Sequence, residues 1–254
     1  MAELQYCEIL KTNINVTNMR DTLAYIDSHL EELRGSYICV SNVHTTVMSY
    51  ENADYRTIQN SAAMALPDGA PLSHYSRSAG FKTAERVTGP DLMVELFRRS
   101  GEKGYRHFFY GSTQKTLDDM HTALQREYPE MVIAGMYSPP FRPLTEEEDK
   151  GVIARINDAN ADFIWVGLGA PKQEAWMYEH RGKLNAVAVG VGAGFDYVAG
   201  NIKRAPRLMQ VLCLEWLYRL MQDPRRLWKR YVTTNVKFMR YLLREKRNQG
   251  SYDK

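Results

Sequence analysis

Apolar residues recur along the chain with two different spacings, and the spacing tells which element each stretch forms. From Thr17 to Leu33 the apolar positions Leu23, Ile26, Leu30 and Leu33 fall three and four residues apart, with Gly35 just beyond. This puts them on one face and predicts an amphipathic helix that stops at the glycine. SYICV (36–40) is instead an almost unbroken apolar run leading into Ser41-Asn42, and AAMAL (62–66) leads likewise into Pro67-Asp68-Gly69. Both read as short buried strands with polar residues at their ends.

The alternation continues down the chain. Gly89-Pro90-Asp91 opens a helix with proline in its first turn, LMVELF fills it, and Gly101 is the expected stop. HFFYG (107–111) predicts a strand, after which Ser112 or Thr113 caps a helix reaching about Glu127. MVIAG (131–135) is the next strand, and Thr145 followed by three glutamates starts another helix, with acids where the helix dipole favours them. FIWVGLG (163–169), a helix from Pro171 and AVAVGVG (186–192) complete the run. Continuously apolar strands alternating with helices indicate a parallel sheet covered on both faces. The expected fold class is α/β, with a Rossmann-like catalytic core over residues 1–200.

After Gly200 the character changes. LMQVLCLEWLYRLM (208–221) is apolar almost all round, Asp223-Pro224 caps and restarts a helix, and residues 225–247 interleave Leu227, Trp228, Tyr231, Phe238, Met239, Leu242 and Leu243 with Arg and Lys. Residues 201–254 carry 14 Lys and Arg against 4 Asp and Glu, whereas residues 1–200 carry 19 against 26. The net charge of +3 therefore conceals an acidic body with a basic helical appendage, a design suited to a polyanion such as anionic lipid, nucleic acid or a diphosphate. A solvated surface helix is the plainer reading of the same residues.

Composition narrows the class further. At 254 residues, 44% hydrophobic and 25% charged, the chain is long enough for a large packed core, which excludes disordered, fibrous and disulfide-stapled classes. Cys7, Cys39 and Cys213 are far apart and form no CxxC, so neither a disulfide framework nor a thiolate zinc site is expected, and the compartment reads as reducing. MAELQYCEIL carries acids where a signal peptide needs a basic end, and no stretch approaches the ~20 apolar residues of a membrane span. The expectation is a cytoplasmic protein that spans no membrane.

In a parallel sheet, ligands bind beyond the carboxyl ends of the strands, so Asn42, Asp68, Gly111-Ser112, Gly167 to Gln173 and Gly192 to Asp196 are the first candidates. Asp68 is either a general base fixed at a strand end or a turn aspartate bonding its own backbone, and spacing alone favours the second. Arg86 and the arginines at 204, 207, 219, 225, 226 and 230 suit bidentate phosphate binding, though each also fits a plain surface position. The strand-end glycines make neither GxGxxG nor a P-loop. The six histidines show no HxxH spacing, no DxD follows an apolar strand, and no GxSxG elbow occurs. No metal and no cofactor are expected.

Eight segments, taken in order, carry a resemblance: SNVHTTVM (41–48), ALPDGAPL (65–72), RVTGPDL (86–92), FFYGS (108–112), GMYSPPF (135–141), VGLGAPKQE (166–174), GVGAGFDYVAGNIKRAP (190–206) and LEWLYRLMQDPRRLWKRY (214–231). Together they span nearly the whole chain, which resembles the WecG/TagA/CpsF glycosyltransferases of bacterial surface-polysaccharide and teichoic-acid synthesis. The resemblance implies metal-independent, inverting transfer of a sugar from a UDP-sugar donor to an undecaprenyl-diphosphate-linked sugar. In the best-known members the product is N-acetylmannosaminyl-N-acetylglucosaminyl-diphosphoundecaprenol; relatives use other hexoses. Asp68 then matches the family's catalytic base, and Asn42, Arg86 and Gln173 match positions lining the donor and acceptor pocket. The family's threonine before that asparagine is Ser41 here, and its glycine before LEW is Cys213. Ser41, Tyr137 and Arg204 join the substrate-binding candidates.

The resemblance also implies that residues 201–254 close over the active site and seat the enzyme on an anionic membrane surface. Arg219, Arg226 and Arg230 become candidates for diphosphate contact, a role that cationic side chains or helix N-termini must fill where no metal does. A homo-oligomer through 208–221 is a further expectation. This reading has no nucleic-acid partner. The alternatives are a nucleic-acid-binding protein using the basic tail and a dinucleotide-dependent oxidoreductase.

Overall fold

The structure is a computed structural model that describes residues 4–206, 208–209 and 214–252, leaving out the side chains of Arg226 and residues 248–252. Arg207 and Cys213 lie outside the described residues. A hairpin of β1 (Tyr6–Ile9) and β2 (Thr12–Asn15) comes first, followed by α1 (Met19–Leu33). Then come β3 (Tyr37–Ser41), α2 (Val43–Glu51), α3 (Ala53–Asn60), β4 (Met64–Pro67), α4 (Ala70–Ser78) and α5 (Gly89–Lys103). They lead into β5 (Arg106–Gly111), α6 (Gln114–Glu127), β6 (Val132–Tyr137), α7 (Glu146–Asp158), β7 (Phe163–Gly167), α8 (Lys172–Glu179), β8 (Val187–Gly190) and α9 (Gly194–Val198). Two further helices close the chain, α10 (Glu215–Gln222) and α11 (Pro224–Tyr252).

Six strands form one all-parallel sheet in the order β4-β3-β8-β7-β5-β6, the parallel α/β core that the unbroken apolar runs predict. Successive side chains point to opposite faces. Ile38, Val40, Leu66, Phe109, Trp165 and Val189 pack under α1, α5, α6 and α9. Tyr37, Cys39, Phe108, Tyr110, Ile164 and Val166 pack on the other side with α2, α4, α7, α8, the hairpin and Phe238 of α11. The carboxyl ends of all six strands therefore open on one rim. Where β5 and β7 end, a Cβ on Gly111 would stand 2.7 Å from the Gly167 backbone at φ +125°, so only glycine lets the two ends close up.

Several boundaries differ from the sequence expectation. The first helix is capped by Asn18, whose side chain accepts from the Asp21 N–H, and starts two residues after Thr17. Helix α5 runs through Gly101 and stops at Gly104, which takes the left-handed conformation of a C-cap at φ 71°. The hairpin escaped the sequence reading because its turn residues, Leu10 and Lys11, hold φ of 50° and 62° without the Asn-Gly or Asp-Gly signal. Helices α2, α3 and α4 were not expected either.

The appendage packs on the body through one stripe of α11. Leu227, Thr234 and Phe238 are buried at helical spacing, the Tyr241 ring meets Tyr50 at 4.6 Å, and the Tyr241 hydroxyl donates to Glu51 at 2.6 Å. A second row, Trp228, Val232, Val236, Met239 and Leu243, faces outward and is exposed. Among the described residues no helix is long and apolar enough to cross a membrane.

Candidate active site

The rim at the β3–β4 edge is held in register by backbone bonds. The Asp68 N–H donates to the Ser41 carbonyl at 2.8 Å, and the Val87 N–H to the Pro67 carbonyl at 2.9 Å. These two bonds bring the segment before α5 alongside the end of β4. There Arg86 Nε donates to the Asp68 carbonyl at 2.6 Å, which fixes the guanidinium beside the Asp68 side chain. Asp68 is thus more than a turn residue.

Arg86 is shared between body and appendage. Its Nη2 lies 2.6 Å from Glu215 Oε2 but 3.8 Å from Asp68 Oδ1. Arg204 Nη2 in turn lies 2.5 Å from Asp91 Oδ1, with its Nε 4.0 Å from Glu215 Oε1. Asp68, Arg86, Glu215, Arg204 and Asp91 therefore alternate in charge around one rim. Arg219 sits over the Tyr197 ring at 5.6 Å and adds a positive charge near Asp68.

The protein surrounds Asp68 on most sides, yet 29% of its side chain remains exposed. Burial pushes its carboxyl up to about 6; Arg86 and Arg219 oppose the rise, whereas Glu215 and Asp91 add to it. Burial works against the Arg86 charge as well, but Asp68 and Glu215 outweigh it and hold the guanidinium above its ordinary range. A partly exposed carboxylate tuned close to neutrality, beside fixed cations, is equipped to take a proton next to a developing negative charge.

The other candidates divide. Asn42 neighbours Gly69, but its Oδ1 caps α2, accepting from the His44 and Thr45 N–H groups at 2.9 and 3.3 Å. Ser41 needs correcting as a substrate contact: its hydroxyl is fully buried and donates to Gln59 Oε1 at 2.7 Å. Gln173 is likewise buried, with Oε1 accepting from the Gly169 and Gly192 N–H groups and Nε2 donating to Glu174. It clasps the loops after β7 and β8. Tyr137 ends β6, at the edge of the sheet opposite β4, so five strand spacings separate the two edges by about 24 Å. Its ring stacks on Tyr110, with Arg155 over it, and the structure does not bring it to Asp68.

From the appendage, Arg204 and Arg219 reach the Asp68 rim, and Arg230 lies near His44 at the start of α2. Burial first, and then the Arg230 charge, hold that imidazole below its usual range. Arg226 belongs to α11, and its side chain is outside the described residues. Among the described residues no group of three or more His, Cys, Asp or Glu is placed to hold a metal ion.

The sequence has known relatives. The Glycosyl transferase WecG/TagA/CpsF family matches residues 7–252. The chain belongs to that family. It is 32% identical over 243 residues to a protein of Bacillus subtilis (strain 168) named N-acetylglucosaminyldiphosphoundecaprenol N-acetyl-beta-D-mannosaminyltransferase, covering 94% of this chain and 91% of that protein. A protein of the same name from Bacillus spizizenii (strain ATCC 23059 / NRRL B-14472 / W23) is 32% identical over 220 residues, covering 84% and 83%. As a WecG/TagA/CpsF member the protein is a glycosyltransferase.

Three residues of this glycosyltransferase's rim were not singled out from sequence: Asp91, Tyr197 and Glu215. Asp91 reads there only as part of a helix start, and Tyr197 as part of a glycine-rich turn. Glu215 carried a signal, as the one acid inside the apolar stretch 208–221 of an otherwise basic segment. A lone carboxylate in such surroundings calls for a partner, and Arg86 is that partner.

Proposed function

We propose that the protein transfers a sugar, N-acetylmannosamine or a related hexose, from a UDP-sugar to an undecaprenyl-diphosphate-linked N-acetylglucosamine, with inversion at the anomeric carbon. The observation that carries this reading is Asp68, a partly exposed carboxylate at a strand end whose carboxyl is pushed up to about 6, set beside Arg86 and Arg219. The names of the two Bacillus relatives supply the acceptor and the sugar.

In this mechanism the acceptor hydroxyl gives its proton to Asp68 as its oxygen attacks the anomeric carbon on the face opposite the leaving group. The bond from that carbon to the UDP oxygen breaks, and its electron pair leaves with the diphosphate. Arg219, Arg226 and Arg230 take up the diphosphate charge, so the reaction needs no divalent metal. The pairing of Asp91 and Glu215 with arginines favours this, since neither is left free to join a metal site. Gln173 and Asn42 act by holding the pocket loops, and no cofactor takes part.

Residues 201–254 act as a module that closes the rim and rests on the inner face of the cell membrane. The outward row from Trp228 to Leu243, flanked by exposed Arg225, Lys229, Arg240 and Arg244, has the apolar and basic surfaces of an interfacial helix. The test of the function is turnover of a UDP-sugar panel with an N-acetylglucosaminyl-diphospholipid in EDTA. UDP release with one donor is expected; no release with any donor contradicts the reading. Flotation with anionic vesicles tests the membrane contact, and light scattering without lipid shows whether a second copy covers the row instead.

A further inference from the structure

We infer that Glu215 is a positioning residue that holds the Arg86 Nη2 away from Asp68 and so keeps the base open to the acceptor hydroxyl. The inference rests on Asp68 being the base, as proposed above. Arg86 is anchored at Asp68 by its Nε bond to the carbonyl, and its Nη2 then has two carboxylates within reach. Glu215 Oε2 takes that nitrogen at 2.6 Å, a full charge-assisted hydrogen bond, and leaves it 3.8 Å from Asp68 Oδ1, beyond hydrogen-bond range. Remove Glu215, and the nearest anion for Nη2 is Asp68 itself. A carboxylate locked in a direct pair with arginine is a weaker base, and its oxygen is no longer open to an acceptor hydroxyl.

Glu215 is itself held in place. It is the first residue of α10, where the helix dipole favours an acid, and the Arg204 Nε lies 4.0 Å from its other oxygen. Arg204 is fixed in turn by Asp91, in the first turn of α5. One carboxylate from the appendage thus bridges two arginines, one of the body and one of the chain leading into α10. Among the described residues, the groups that bear on Asp68 include Arg86 before α5, Asp91 on α5, Tyr197 on α9, and Glu215 and Arg219 on α10. Glu215 and Arg219 lie one turn apart on α10. Glu215 frees the base, and Arg219 keeps a positive charge nearby for the leaving group.

The test is the carboxyl titration of Asp68 by carbon NMR in the full chain, assigned with Asp68→Asn, in wild type and Glu215→Gln. The glutamine keeps shape and removes charge. The Asp68 titration is expected to move down by roughly one unit or more, with kcat falling about tenfold at pH 8 and the donor KM changing less. Glu215→Asp, which withdraws the charge by one methylene, shifts the titration less in the same direction and serves if the glutamine variant does not fold. An Asp68 titration that is unchanged or raised in the variant that folds overturns the inference. Near wild-type turnover of Asp68→Asn would instead overturn the base assignment, while the titration would still decide whether Glu215 governs Asp68.

Discussion

Two polar networks lie beneath the carboxyl ends of the sheet and differ in what they leave open. Around Asp68 the groups are charged, come from both body and appendage, and leave the Asp68 carboxylate outside their hydrogen bonds: Arg86 Nη2 is 3.8 Å from it, and it keeps an exposed side. Behind it, Ser41, Gln59, Gln173 and Glu174 are buried and their hydrogen bonds turn inward. The same position in the fold, a strand end, thus yields an open carboxylate where polar atoms stay free and a scaffold where they are occupied. Glu174 marks the limit of that scaffold, with one buried carboxylate oxygen lacking a hydrogen bond and its carboxyl pushed up by burial.

The comparison breaks most sharply at Asp68. Asp68→Asn keeps the volume and removes the base, so turnover should fall by about 100-fold or more while thermal stability stays close to wild type. A drop below tenfold would place Asp68 with the scaffold. Gln173→Ala tests the other side. It strips partners from the Gly169 and Gly192 N–H groups and from Glu174, and should cost about 3 kcal/mol in denaturant unfolding, with activity falling as the loops loosen. Wild-type stability combined with a raised donor KM would instead make Gln173 a direct contact. Ser41→Ala gives the smallest effect, about 1 kcal/mol of stability from the lost bond to Gln59, with kcat within about twofold. A large kcat loss in that variant would return Ser41 to the substrate.

The sheet was legible because its strands are apolar throughout, and the rim was legible because strand ends collect ligands. Asp68 and Arg86 stood out by position and motif. The roles of Ser41, Gln173 and Tyr137 were not, since nothing in a sequence tells whether a strand-end polar side chain points to the rim, into the core or to a remote edge. Side-chain direction at the last residue of a strand depends on where the chain turns: Ser41 is drawn inward by Gln59 on α3, an element without a strong periodic signal. Glu215 shows as a lone acid in an apolar stretch, but its pairing with Arg86 spans 129 residues, a separation no local pattern bridges.

The pH dependence of kcat in wild type and Asp68→Asn tests the account most directly. A general base must be ionised to act, and Asp68 is raised from 3.8 to about 6, so activity should climb as pH rises through about 6 and reach a plateau above it. The residual rate of Asp68→Asn should lack that rise. A wild-type profile that is flat from pH 5 to 8, or the same rise persisting in Asp68→Asn, would contradict it.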